Sequence, residues 1–171
     1  MDARDYYPKR EPGRIYHPAR ARQLNSFTGL KFGTITPTDL DGLIDYHNER
    51  FAFLELKLRD APVSDAQANA IMRVVDAIEV AKKRAAFFVA EHCEDDPTVD
   101  VAADRCLIRA IYTRQMWYQP PAEMTLRVGL DRFLGFGPPL DLTFLAAAQA
   151  RSSIARAPSV DEIFRNSGGF K

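Results

Sequence analysis

The residues of this chain best suited to chemistry lie between Thr38 and Lys57, in the run TDLDGLIDYHNERFAFLELK. Two carboxylates, Asp41 and Glu55, are separated by thirteen residues, and Lys57 follows Glu55 at a spacing of two. Side chains alternate along a strand, so an extended LELKL segment puts Glu55 and Lys57 on one face and Leu54, Leu56 and Leu58 on the other. A reversal at His47-Asn48-Glu49 folds the run into a hairpin. Counting back from that turn sets Asp41 opposite Glu55 and Asp45 opposite Ala52. Two carboxylates and an ammonium then converge at one end of the hairpin, a set able to hold a divalent cation. Charges in so apolar a strand are costly unless they pair or bind a metal.

The neighbouring elements must position this set. Leu43 to Tyr46 and Phe51 to Leu58 read as strands, the second apolar on both faces and so central in a sheet. Ser64-Asp65-Ala66-Gln67 fits a capping box, and Ile71, Val74, Val75 and Ile78 make the apolar face of a helix. Lys82, Lys83 and Arg84 stand where a helix end favours cations, which predicts a stop near Arg84. Ala85 to Ala90 suits a buried strand, and a helical crossover of this length makes it parallel to the strand before the helix. Past the acidic loop Glu94 to Asp100, Cys106 to Tyr112 reads as a strand with a turn and return strand over Thr113 to Tyr118, helix being the competing reading. Beyond Pro121, helices are expected over 124–134, stopped at Gly135, over 141–156 and over 160–166. A short extended segment over 32–35 precedes Pro37.

Composition sets outer limits. The 171 residues, 46% hydrophobic and 27% charged, suit one globular domain. With 23 basic and 23 acidic side chains there is no overall cationic field, so nucleic-acid contact must come from local patches. Residues 1 to 31 hold seven basic against three acidic groups, and Pro8, Pro12 and Pro18 make residues 1–25 an extended arm, either a plain tail or one that tracks a nucleic-acid strand. No apolar run approaches the roughly 20 residues of a membrane span, and the polar N-terminus lacks a signal core. A cytoplasmic location without a membrane partner is the expectation. Cys93 and Cys106 lack zinc spacing and read as reduced bystanders.

The order acidic turn, hairpin, E-x-K strand, helix and apolar strand resembles the PD-(D/E)xK nuclease superfamily, which includes type II restriction enzymes, archaeal Holliday-junction resolvases and lambda-type exonucleases. The matching parts are Pro37-Thr38-Asp39-Leu40-Asp41-Gly42, Glu55-Leu56-Lys57, and Gln67 on the helix, within residues 32 to 92. ITPTDLDGLIDY followed by FAFLELK and a Gln-bearing helix is similar to small phage and mobile-element nucleases. The resemblance implies an α/β fold, an α+β mixed sheet flanked by helices. Its restriction-endonuclease-like core would span 26–120, between the basic arm over 1–25 and a helical C-terminal extension over 121–171.

Residue by residue, the resemblance makes Asp41 and Glu55 ligands of Mg²⁺ or Mn²⁺, with the backbone carbonyl of Leu56 as a further ligand, and makes Lys57 the partner of the attacking water. Gln67 would orient the site or serve only as a cap residue, and Asp39 would be a second acidic ligand or a turn residue. The implied activity is metal-dependent hydrolysis of DNA phosphodiester bonds. The alternatives are an inactive nuclease-fold factor that binds DNA or protein, and a dimeric resolvase for branched DNA joined through helices after Pro121. Asp45 resembles the first acid of some exonuclease-type members, although the hairpin count leaves it at the surface. Glu91 and His92 could reach the site from a strand end, a structural histidine being the plainer reading. Tyr112, Trp117 and Tyr118 either stack bases or pack in the core.

Overall fold

The turn expected at His47-Asn48-Glu49 forms: Glu49 N donates to Tyr46 O at 3.1 Å, and His47 and Asn48 take left-handed φ values of 56° and 58°. It joins β1 (Gly42–Tyr46) to β2 (Arg50–Leu58) in an antiparallel pair running from Gly42↔Leu54 to Tyr46↔Arg50. The next step of that register sets Asp41 against Glu55, as expected. Asp45 falls opposite Phe51 instead of Ala52, because a turn centred on Asn48 pairs residues equally distant from it. Asp45 is exposed, and its Oδ1 accepts the Asn48 N–H at 2.8 Å.

The computed structural model describes residues 37–59 and 61–145. The expected arm over 1–25, the segment over 32–35 and the helix over 160–166 lie outside them. After β2 come α1 (Asp65–Val80), β3 (Arg84–His92), a 3₁₀ turn (Ala103–Arg105), β4 (Leu107–Thr113), β5 (Met116–Gln119), α2 (Leu126–Leu134) and β6 (Thr143–Phe144). The strands form one mixed sheet in the order β1-β2-β3-β4-β5-β6. β2 and β3 are parallel, joined through α1, and every other neighbouring pair is antiparallel. The class is α+β, and none of the described helices is long and apolar enough to cross a membrane.

Ser64 caps α1 as its sequence predicts, its Oγ accepting from Gln67 N at 3.2 Å. The helix stops at Val80 and not near Arg84. Lys82 turns left-handed at φ 62°, and Arg84 already pairs with Arg50 as the first residue of β3. β2 and β3 are covered on both faces, which explains their apolar character. On one face α1 packs Ile71 and Val75 against Phe53, Phe87 and Val89. On the other, α2 packs Leu126 and Phe133 against Ala52, Phe88 and Ile111. α2 is capped by Thr125 and ends at left-handed Gly135, the stop expected there.

Cys106–Tyr112 is resolved in favour of strand, and Arg114 and Gln115 make the turn into β5 at φ 51° and 60°. The helix expected to begin at 141 does not begin there. Thr143 and Phe144 pair with Gln119 and Tyr118, and Leu145 N donates to Trp117 O at 3.0 Å. These residues satisfy the open edge of β5, which a helix start would leave unpaired. Residues 146–156 lie outside the described residues. Tyr112 is buried and Trp117 packs on it and on Phe87, so these two aromatics belong to the core.

Candidate metal and active site

Alternation along β2 places Phe51, Phe53, Glu55 and Lys57 on the face that α1 covers. Phe51 and Phe53 join the apolar cluster beneath the helix. Two residues on, the same face carries Glu55, a carboxylate only 1% exposed. Its Oε2 accepts from Gln67 Nε2 at 2.7 Å, and its Oε1 pairs with Lys57 Nζ. Gln67 sits in the first turn of α1 because Ser64 starts the helix there, so the cap that begins α1 also aims the amide at Glu55. The Gln67 backbone N–H thus serves the Ser64 cap, while its side-chain amide is given to Glu55 and Asp39 instead of closing the capping box.

The acidic turn reaches the same place from the edge strand. Asp41 Oδ2 accepts the Leu56 N–H at 2.7 Å, extending the hairpin just ahead of β1 and holding the carboxylate beside the backbone of Glu55-Leu56-Lys57. Gln67 Nε2 also donates to Asp39 Oδ1 at 3.2 Å and to Asp39 O at 3.3 Å. Asp39 is thereby an anchor for the Gln67 amide.

Burial pushes the Glu55 carboxyl above its usual range. The Asp41 charge adds to that rise, against the opposing bonds from Lys57 and Gln67. Two carboxylates close enough to repel, with the peptide carbonyl of Leu56 directly after Glu55, are a hard oxygen donor set whose repulsion a divalent cation would relieve. Among the described residues no group of three or more His, Cys, Asp or Glu side chains is gathered around such a point. Two carboxylates and a carbonyl alone would leave a cation holding several of its waters.

Two further residues join this end of the sheet. Glu91 is the cross-strand partner of Lys57 on β3, and Arg109 Nε lies 3.6 Å from Glu91 Oε2. Arg109 Nη1 also donates to Arg59 O at 3.0 Å and Ala61 O at 3.1 Å, bracing the chain where it leaves β2. Arg109 reaches this face because the β3–β4 register shifts between Val89 and Ala90, and such a bulge re-aims a side chain. Sequence reasoning missed Arg109, although a charge inside the apolar run LIRAIYT is the same signal that singled out Glu55. His92 is not part of the set: its Nδ1 accepts the Glu94 N–H at 3.3 Å, the structural role expected of it.

Comparison with protein-family models, with characterised proteins and with solved structures gives no match for this chain.

Proposed function

We propose that the chain is a metal-dependent nuclease with a restriction-endonuclease-like core, hydrolysing DNA phosphodiester bonds at the Asp41–Glu55–Lys57 end of the β1–β2 hairpin. One observation carries this reading. Glu55 is a buried, oriented carboxylate with a raised pKa, set between an ammonium and a second carboxylate where the fold itself needs only an apolar residue. Perturbed titratable groups of this kind concentrate at functional sites. Asp41, Glu55 and the Leu56 carbonyl would hold Mg²⁺ or Mn²⁺. A cation there supplies Lewis acidity, lowering the pKa of a bound water and offsetting the charge that builds on a phosphate. Gln67 keeps Glu55 in one orientation. Lys57, only partly exposed, offers its ammonium to the oxygen of an attacking water or to a phosphate oxygen.

The test is cleavage of linear, circular, single-stranded and branched DNA by the full chain with Mg²⁺ or Mn²⁺. Asp41→Asn, Glu55→Gln and Lys57→Met, each assayed well below its melting temperature, should lower the rate by about 100-fold or more. Full activity in all three variants refutes the assignment. A second reading, a non-catalytic nuclease-fold binding factor, is favoured by the fact that among the described residues every buried polar side-chain atom already has a partner. DNA binding without cleavage under any cation, together with no calorimetric cation binding, would select it.

A further inference from the structure

At the end of the sheet remote from Glu55, three side chains form a row across three strands. Tyr46 pairs with Arg50, and Arg50 pairs with Arg84, so all three share one level and one face of β1, β2 and β3. Adjacent strands lie about 4.8 Å apart, which makes the row roughly 10 Å long. Arg114, in the β4–β5 turn, follows Thr113, whose Oγ1 donates to Ala85 O at 2.8 Å beside Arg84, and burial together with the charges of Arg50 and Arg114 pushes the Arg84 pKa down. Among the described residues no carboxylate forms an ion pair with the guanidiniums of Arg50, Arg84 or Arg114, and Glu79 Oε2 accepts only the backbone N–H of Arg114, at 2.8 Å. Asp45 projects from the opposite face and is taken by Asn48 N.

Two of these guanidiniums are held by the last turn of α2. Arg50 Nη1 donates to Phe133 O at 3.0 Å, and Arg84 lies over the Phe133 ring, 5.5 Å from its centroid. Gly135 leaves room for Arg50, since a Cβ at that position would stand 2.6 Å from Arg50 Nη1. Arg50 and Arg84, like charges held together without an ion-pair partner, cost stability, and a planar guanidinium is matched to phosphate oxygens. Beside the arginines stands an aromatic set that the core does not use. The Tyr46 ring contacts His47 at 4.3 Å and Phe136 at 5.5 Å between centroids, and Phe136 is 64% exposed.

We propose that the row Tyr46–Arg50–Arg84, with Arg114 and Phe136, binds single-stranded nucleic acid, the guanidiniums on backbone phosphates and the exposed aromatic rings against bases. Cationic groups interleaved with free aromatic faces are what sequence-tolerant single-strand binding requires. Bases inside a duplex present no faces to such rings, which is why a single strand fits better than a double one. The proposal shares a nucleic-acid partner with the nuclease reading but none of its chemistry, so the two can fail separately.

The probe is a fluorescein-labelled 20-mer of thymidine, titrated with the full chain in chelator and followed by anisotropy over a series of salt concentrations. Phe136→Ala should weaken binding about fivefold or more, the loss of one base stack. Arg84→Gln and Arg114→Gln should each flatten the dependence of log affinity on log salt by about 0.7. Val99→Thr, in the exposed loop after β3 and outside both the row and the Glu55 site, should bind as the parent does. Affinities within twofold of the parent and unchanged salt slopes in all three row variants would overturn the proposal. So would duplex binding as tight as single-strand binding, or variants that lose affinity for phosphatidylserine vesicles while keeping it for the oligonucleotide.

Discussion

Glu55→Gln and Lys57→Met remove the two halves of one ion pair, and the structure predicts opposite effects on stability. Glutamine keeps the shape of Glu55, so it opens no cavity and can still accept from Gln67 Nε2. It removes a charge from a site that is 1% exposed, and its former partner, 23% exposed at the side chain, can turn to water. Replacing a whole buried ion pair by neutral groups is neutral or stabilising by about 1–4 kcal/mol, and removing one member is costly only where the other is left buried and unpaired. With Lys57 already partly solvated, the low end applies, a gain of about 1 kcal/mol at pH 8. Lys57→Met instead strands the Glu55 carboxylate, for which about 3–5 kcal/mol is the usual cost.

The pH dependence carries the sign. The folded pKa of Glu55 is raised above the ordinary carboxylate value of 4.5, so between that value and the folded pKa the native state holds the extra proton. Parent stability therefore falls as pH rises through that window, and Glu55→Gln lacks that fall. The Lys57→Met deficit should shrink at about pH 4, where Glu55 is neutral. Urea unfolding in chelator at about pH 4 and pH 8 checks this. The signal is fluorescence from Trp117, the single tryptophan, packed against Phe87 and Tyr112. A loss of more than about 2 kcal/mol in Glu55→Gln at pH 8, or an equal difference from the parent at both pH values, refutes the reasoning.

Cation binding has its own signature apart from turnover. At about ten times its Kd, Mg²⁺ should stabilise the parent by about 1.4 kcal/mol, raising Tm by about 3–6 °C, with no such rise in Asp41→Asn; differential scanning fluorimetry reads both. The same shift should be larger at pH 8 than at pH 5, because the cation competes with the proton on Glu55. Gly129 is buried in α2, and an added Cβ would come within 2.3 Å of Ile108 Cδ1. Gly129→Ala should cost about 1–3 kcal/mol in urea unfolding, as overpacking does.

Much of the architecture was legible in local sequence. The Ser64 cap, the glycine stop at Gly135 and the turn centred on Asn48 all act through bonds within a few residues, and each formed where expected. The parallel β2–β3 pair followed from an apolar run after a helical crossover. The end of α1 was misplaced because Lys82 to Arg84 have ordinary helix propensity, while the pairing of Arg84 with Arg50 is a long-range contact that overrides it. The start expected at 141 failed for the same reason, since pairing with β5 made Thr143 and Phe144 a strand.

At the site, sequence alone determined that Glu55 and Lys57 share a face, and that Asp41 comes level with Glu55. Strand alternation and a symmetric turn are rules of short range. Tertiary structure decided which atoms those residues spend on one another. It set Asp39 on the Gln67 amide, drew Arg109 in through a register shift, and assembled Tyr46, Arg50 and Arg84 into a row from three strands. No local spacing encodes these, because each depends on how strands distant in the chain are aligned, and a shift of one residue turns a side chain to the other face of the sheet.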